Sequence, residues 1–250
     1  MSVEDVDGGT DGMGGAFLQF VRHRPIVKAL HVKVPRQRHE TESMLRRRRI
    51  VVLVSLIVGS VLLGFSLTRA PDSATFYPLS AALALTWFVG GFASGPLHLG
   101  HIDVKGVLRR PFLVPVATGL LIAGIFCMGA LVVREIDPLR SYVQHVVAYE
   151  REGSTGLVVL SALINGLAEE VFFRGAVYAA LPERGRVALT TTIYALVTLA
   201  TGNPLLTFAA ATVGTVLALQ RRASGGVLAP SITHVTWSIC MLATLPVLFR

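Results

Sequence analysis

Charge is scarce in this chain: Asp, Glu, Lys and Arg make up 15% of its 250 residues, where a typical soluble domain has about 25%. So few charges cannot coat a water-facing surface, which excludes an ordinary soluble globular protein. Cysteine is scarcer still. The two present, Cys127 and Cys240, lie inside apolar blocks, so no disulfide framework is implied and both read as small packing residues. Acidic residues number 15 against 23 basic ones, and no internal repeat is visible. What the chain has instead is apolar sequence, 52% of residues at a mean hydropathy of +0.62, arranged in blocks between short polar loops. A bilayer requires about 20 apolar residues per helical span, and the blocks have that length.

The pattern predicts an all-α polytopic membrane bundle with about seven transmembrane helices. The expected spans are 50–68, 77–94, 111–133, 155–180, 187–201, 204–219 and 226–249, with the pattern leaving room for an eighth, interfacial or re-entrant helix near 138–149. Residues 1–49 read as a disordered, basic tail and 50–250 as the membrane domain. The block at 50 reads as a signal anchor, not a cleaved leader. The turn residues Thr201, Gly202, Asn203 and Pro204 should close spans five and six into a tight hairpin.

Ten of the 23 basic residues precede Ile50, ending in Arg46, Arg47, Arg48 and Arg49. With the N-terminus in the cytoplasm, 17 basic residues fall on the inner side and five on the outer, the bias expected of that orientation in a plasma membrane. The basic run therefore reads as a topology determinant, and nucleic acid is not an expected partner. Trp87 and Trp237 read as packing or interfacial anchors, and Ala209, Ala210, Ala211 and Gly214 as a close-packing face.

Against this apolar background, Glu169 and Glu170 stand in the middle of the fourth expected span, with Arg174 four residues beyond Glu170. An ionised side chain at the bilayer centre costs about 2.5–3.5 kcal/mol on insertion scales, so such residues mark functional sites. Glu170 and Arg174 share a helix face and should pair. Glu169 points about 100° away and needs a partner from another helix or from water. His234, the one histidine well inside an expected span, is the obvious candidate, at a depth within about 4–5 Å of Glu169 by helical rise. A carboxylate and an imidazole at matched depth can hold and deprotonate a water, which is hydrolytic chemistry. The glutamates lie nearer the basic loops, so the cavity serving them is expected to open on the cytoplasmic half.

Glu169-Glu170-x-x-x-Arg174, Tyr194-x-x-x-Thr198 and His234-x-x-x-Ser238, the last after the loop Gly225 to Pro230, resemble the ordered motifs of the CPBP family of intramembrane proteases, the CAAX protease and bacteriocin-processing or Abi group. The resemblance covers 155–250. It implies a glutamate-type membrane endopeptidase acting on membrane-embedded or lipidated proteins, CAAX-type prenylated ones included. Glu169 would activate water with Glu170 assisting, Arg174 would brace the glutamate helix, and His234 would hold the water or stabilise the oxyanion with Ser238. The family pattern at the second motif is Phe-x-x-x-His, and here Tyr194 and Thr198 replace both ends. Thr198, even with Asn203 or Asn165, offers a water only hydrogen bonds. No cofactor is assigned: one histidine and two carboxylates could in principle make a three-ligand site for a divalent metal such as zinc, but their spacing matches none of the common helical zinc motifs. Two further readings remain open: a pseudoprotease serving as scaffold, chaperone or immunity protein, for which the missing histidine speaks, and a proton-coupled transporter, for which intramembrane Glu, Arg and His are ordinary equipment.

Overall fold

The computed structural model describes residues 41–70, 73, 75–104 and 107–250. The expected disordered tail falls outside the described residues up to position 40. Its last part is helical: α1 spans Glu42–Leu67, so the first helix begins eight residues before Ile50, and the arginine run is its first turns rather than a tail. Thr41 caps it, its hydroxyl accepting from the Met44 amide at 3.4 Å. The helix is preceded by a Thr cap and carries Glu42 in its first turn, the usual signature of a helix start.

The remaining helices are α2 (Phe76–Ala93), α3 (Leu113–Val133), α4 (Asp137–Glu152), α5 (Thr155–Glu169, continued to Ala180), α6 (Arg186–Thr198), α7 (Pro204–Ser224) and α8 (Leu228–Leu248). A short antiparallel hairpin, β1 (Ile102–Val104) with β2 (Val107–Arg109), joins α2 to α3. The fold is thus an all-α polytopic bundle. Five helices are long and apolar enough to cross a membrane, namely α1, α2, α3, α5 through Ala180, and α8. Seven were expected, and α6 and α7 account for the difference. Even with its 3-10 extension to Thr201, α6 has only 16 residues, and α7 carries three threonines, Gln220, Arg221 and Arg222. The two form the expected hairpin: Gly202 turns the chain at φ +68°, and the Asn203 side chain caps α7 by accepting from the amides of Leu205 and Leu206 at 3.0 and 3.3 Å. The eighth helix allowed for near 138–149 is α4, with Pro138 in its first turn.

The core is built around α5. Trp87 of α2 stacks on Phe172 at 4.6 Å and tilts against Phe173 at 5.3 Å, and Phe173 meets Tyr194 of α6 at 4.7 Å. Trp87 fits because Gly59 of α1 has no side chain: a Cβ there would lie 2.1 Å from the indole. Outward faces are apolar, with Leu53, Ile57, Leu85, Phe92, Leu113 and Met128 exposed. In water such a belt would be untenable, and in lipid it is the expected surface.

At one end of the bundle the arginines bind the elements together. Arg48 is buried and donates to Ser94 Oγ and the Pro96 carbonyl. Arg49 reaches the Ala180 carbonyl at 3.2 Å, and Arg186 donates twice to Leu181, so both satisfy acceptors where α5 ends. The loop before the hairpin pairs with the α7–α8 turn through His101 N to Ser224 O, Val227 N to His98 O and Leu228 N to Leu99 O. Gly226 and Gly100 permit this, since a Cβ at either would strike the other strand's backbone at 2.0–2.5 Å.

Candidate active site

Glu169 ends the regular part of α5, and Glu170–Val177 follow with π-helical winding. Such segments are rare, cost hydrogen-bond quality, and recur at functional sites. Here the wound segment is wholly buried, and Tyr178 N–H reaches back five residues to Phe173 O. Its effect is to aim a run of bulky and charged side chains inward while α5 continues to Ala180.

Glu170 is 0% exposed, as is Arg174. One carboxylate oxygen, Oε1, accepts from Arg174 Nη1 at 2.8 Å and from His234 Nδ1 at 2.9 Å, while Oε2 has no partner among the described residues. Arg174 also donates to the Gly214 carbonyl of α7 at 3.2 Å and lies 4.7 Å from the centre of the Tyr194 ring. Arg221 of α7 in turn donates to the carbonyl of Arg174. The buried charge is therefore shared over three helices, which is what keeps an ion pair tolerable in a low dielectric.

The intrahelical Glu170–Arg174 pair is as expected from the spacing. The histidine is not: His234 binds Glu170, whereas Glu169 is held by Tyr194, whose hydroxyl donates to Oε2 at 2.6 Å. Because a carboxylate only accepts, the Glu170 contact places the His234 proton on Nδ1 and turns Nε2 away from it. Gly166, one turn before Glu170, leaves room beside that nitrogen, since a Cβ there would stand 3.6 Å from Nε2.

Glu169, His234 and Ser238 all line one cavity of about 650 Å³. Glu169 and His234 stand at one limit of it. From them it runs between α3, α4, α5, α7 and α8 towards Leu67, Val133 and Pro246, which lie at the helix ends away from the basic loops. The expectation of an opening on the basic side is thus corrected. Arg174, Tyr194 and Arg221 with their aromatic neighbours fill the space between the glutamates and the basic end. The cavity wall is mainly apolar, and near Glu169 it carries Asn165, whose amide donates to Ser80 Oγ at 2.9 Å, and Trp237 beside His234.

Thr198 is not drawn into this centre. Its hydroxyl donates to the Tyr194 carbonyl one turn back at 2.9 Å, and its own carbonyl accepts from Thr201. Among the described residues no three His, Cys, Asp or Glu side chains are grouped to hold a metal ion. Glu170 Oε1 is engaged by Arg174 and His234, and His234 Nδ1 by Glu170.

Sequence reasoning missed Gly214 as the second anchor of Arg174, having read it only as a small packing residue, and named Tyr194 only as a motif position. The signal for Tyr194 was the hydroxyl itself, a polar group on an apolar helix at the position where the CPBP motif has Phe.

The bundle thus holds a buried Glu–Arg–His centre beside the head of an apolar cavity. Residues 151–240 match the family model described as Type II CAAX prenyl endopeptidase Rce1-like, a match consistent with the resemblance of the three motifs to the CPBP group. The match takes in 90 of the 250 residues and contains all three motifs from Glu169 to Ser238. No curated protein and no solved structure gave a significant match.

Proposed function

We infer that the chain is an intramembrane endopeptidase in which Glu169 activates a water against a peptide bond of a membrane-embedded or lipidated protein. The observation that carries the reading is the convergence of Glu169, His234 and Ser238 on the head of one apolar cavity, within the segment that matches a peptidase family. Glu169 takes a proton from the water as its oxygen attacks the peptide carbonyl carbon. His234 Nε2, when protonated, and Ser238 Oγ stand on the same face of α8 and donate to the oxyanion that forms. The proton on Glu169 then passes to the departing amine as the C–N bond breaks. Glu170 fixes the His234 ring through Nδ1, and Arg174 pairs with Glu170 in its buried position. Tyr194 orients the Glu169 carboxyl. No step requires a metal. The bundle stands in the cell membrane, with the basic end in the cytoplasm by the charge bias.

The test is a comparison of protein termini by mass spectrometry in cells carrying the wild-type chain or Glu169→Ala at equal membrane abundance. New termini dependent on Glu169 establish proteolysis and name the substrate. Identical termini in both overturn the reading. They would favour the pseudoprotease alternative, to which one observation lends support: Thr198 hydrogen-bonds its own helix instead of reaching the glutamates.

A further inference from the structure

A second cavity, of about 580 Å³, lies at the basic end of the bundle between the first half of α6 and the last half of α7, away from the glutamate centre. We propose that it binds a phosphoryl group at the membrane surface, presented either by an anionic lipid headgroup or as free phosphate.

Three observations converge on it. The first is the start of α6. Gly185 enters the helix at φ +76° with no side chain capping the first turn, and Val187 and Ala188 of that turn line the cavity. Amides there have no intrahelical acceptor and carry the positive end of the helix dipole, an arrangement that suits phosphate.

The second is Thr191, which is 9% exposed and lines the same cavity. Its Oγ1 is buried with no hydrogen-bond partner, while its methyl faces Gly214 of α7, 3.7 Å from where a Cβ would stand there. A buried hydroxyl without a partner costs free energy, and a ligand oxygen would relieve it.

The third is charge. Arg186 and Arg222 both line the cavity. Arg186 is held over the Tyr178 ring at 5.4 Å, with Nε and Nη2 on Leu181 O, so its position is fixed and its charge stays at the cavity wall. One carboxylate opposes them, Glu183, which is exposed to solvent on the rim. Two cations and a helix N-terminus outweigh it. Basic pockets between helices at the membrane surface are the usual sites for anionic headgroups, and the exposed Leu189 and Leu196 further along α6 provide an apolar track for an acyl chain.

The experiment follows the thermal unfolding of the full chain in neutral detergent during titration with short-chain phosphatidylglycerol, short-chain phosphatidylcholine, or sodium phosphate against sodium chloride of equal ionic strength. A saturable rise in Tm with phosphatidylglycerol but not with phosphate identifies a headgroup site, and a rise with phosphate alone identifies a free-anion site. In either case Thr191→Val, which removes the hydroxyl and keeps the shape, should weaken the apparent affinity about fivefold. Arg222→Gln should weaken it by a similar factor, and Glu183→Gln should tighten it. Arg222 has other interactions, so Thr191→Val and Glu183→Gln remain decisive should Arg222→Gln fail to fold. The proposal is overturned by the absence of any saturable shift, by an equal response to phosphatidylcholine, or by an affinity that Thr191→Val leaves unchanged.

Discussion

The Tyr194 hydroxyl donates to Glu169 Oε2 at 2.6 Å while the ring of the same residue lies 4.7 Å from the Arg174 guanidinium. One side chain of α6 therefore touches both halves of the α5 site, the candidate base through its oxygen and the buried ion pair through its face. Replacing Tyr194 by Phe keeps the ring and removes the oxygen. A hydrogen bond to a charged group is worth about 1.5–3 kcal/mol, so Tyr194→Phe is expected to lower kcat about tenfold or more with KM and Tm little changed. Steady-state cleavage of a substrate found by the terminus comparison, run beside thermal unfolding, checks this. A variant as active as the wild type would remove Tyr194 from the mechanism.

The two glutamates should separate cleanly. Glu170 is enclosed and bound to Arg174 and His234, so Glu170→Gln leaves the Arg174 charge without its counter-ion and should cost about 3–5 kcal/mol of stability. Glu169 faces the cavity, and Glu169→Gln should abolish turnover with only a small change in Tm. Parallel melting curves and cleavage assays on the two variants decide the matter.

Gly214 is placed where a side chain would crowd the centre: a Cβ would stand 3.1 Å from Tyr194 Cδ1 and 3.2 Å from Arg174 Nη2. Gly214→Ala must push one of them by a few tenths of an ångström. A loss of about 1–2 kcal/mol is expected from such overpacking, together with reduced activity because the displaced groups hold Glu169 and Glu170. Chemical denaturation and activity measured on the same preparation test both halves of the prediction.

Further from the site, Gly59→Ala would place a methyl 2.1 Å from the Trp87 ring. The indole is locked by its stacking on Phe172, so relief requires α1 and α2 to separate. A loss of at least about 1–3 kcal/mol follows, readable as a lower Tm with a change in tryptophan fluorescence. Unaltered values for both would show that the α1–α2 contact is looser than described.

The sequence by itself determined the elements and the local pair. Apolar runs of span length can only be lipid-facing helices, which is why α2, α3, α5 and α8 lie within about two residues of their expected bounds. Helical spacing alone put Arg174 beside Glu170. It fell short where hydropathy was averaged over mixed sequence. α1 begins inside the arginine run because Thr41 caps it and because Arg48 and Arg49 find buried acceptors, which no local pattern announces. α6 is short and α7 ends in Gln220, Arg221 and Arg222, so neither combines the length and apolar character of the five spans.

Only the tertiary structure decided which glutamate receives the histidine. Rotation around one helix fixes angular neighbours within it, but the partner of Glu169 depends on how α6 and α8 cross α5 and on the π-wound turn that redirects the side chains after Glu169. Those are properties of packing between segments far apart in the chain, 64 residues for Glu170 and His234 and 25 for Glu169 and Tyr194. The direction of the cavity was settled in the same way. Depth along one helix placed the glutamates nearer the basic loops, yet the aromatic and arginine side chains of three helices fill that side, and the space remains open on the other.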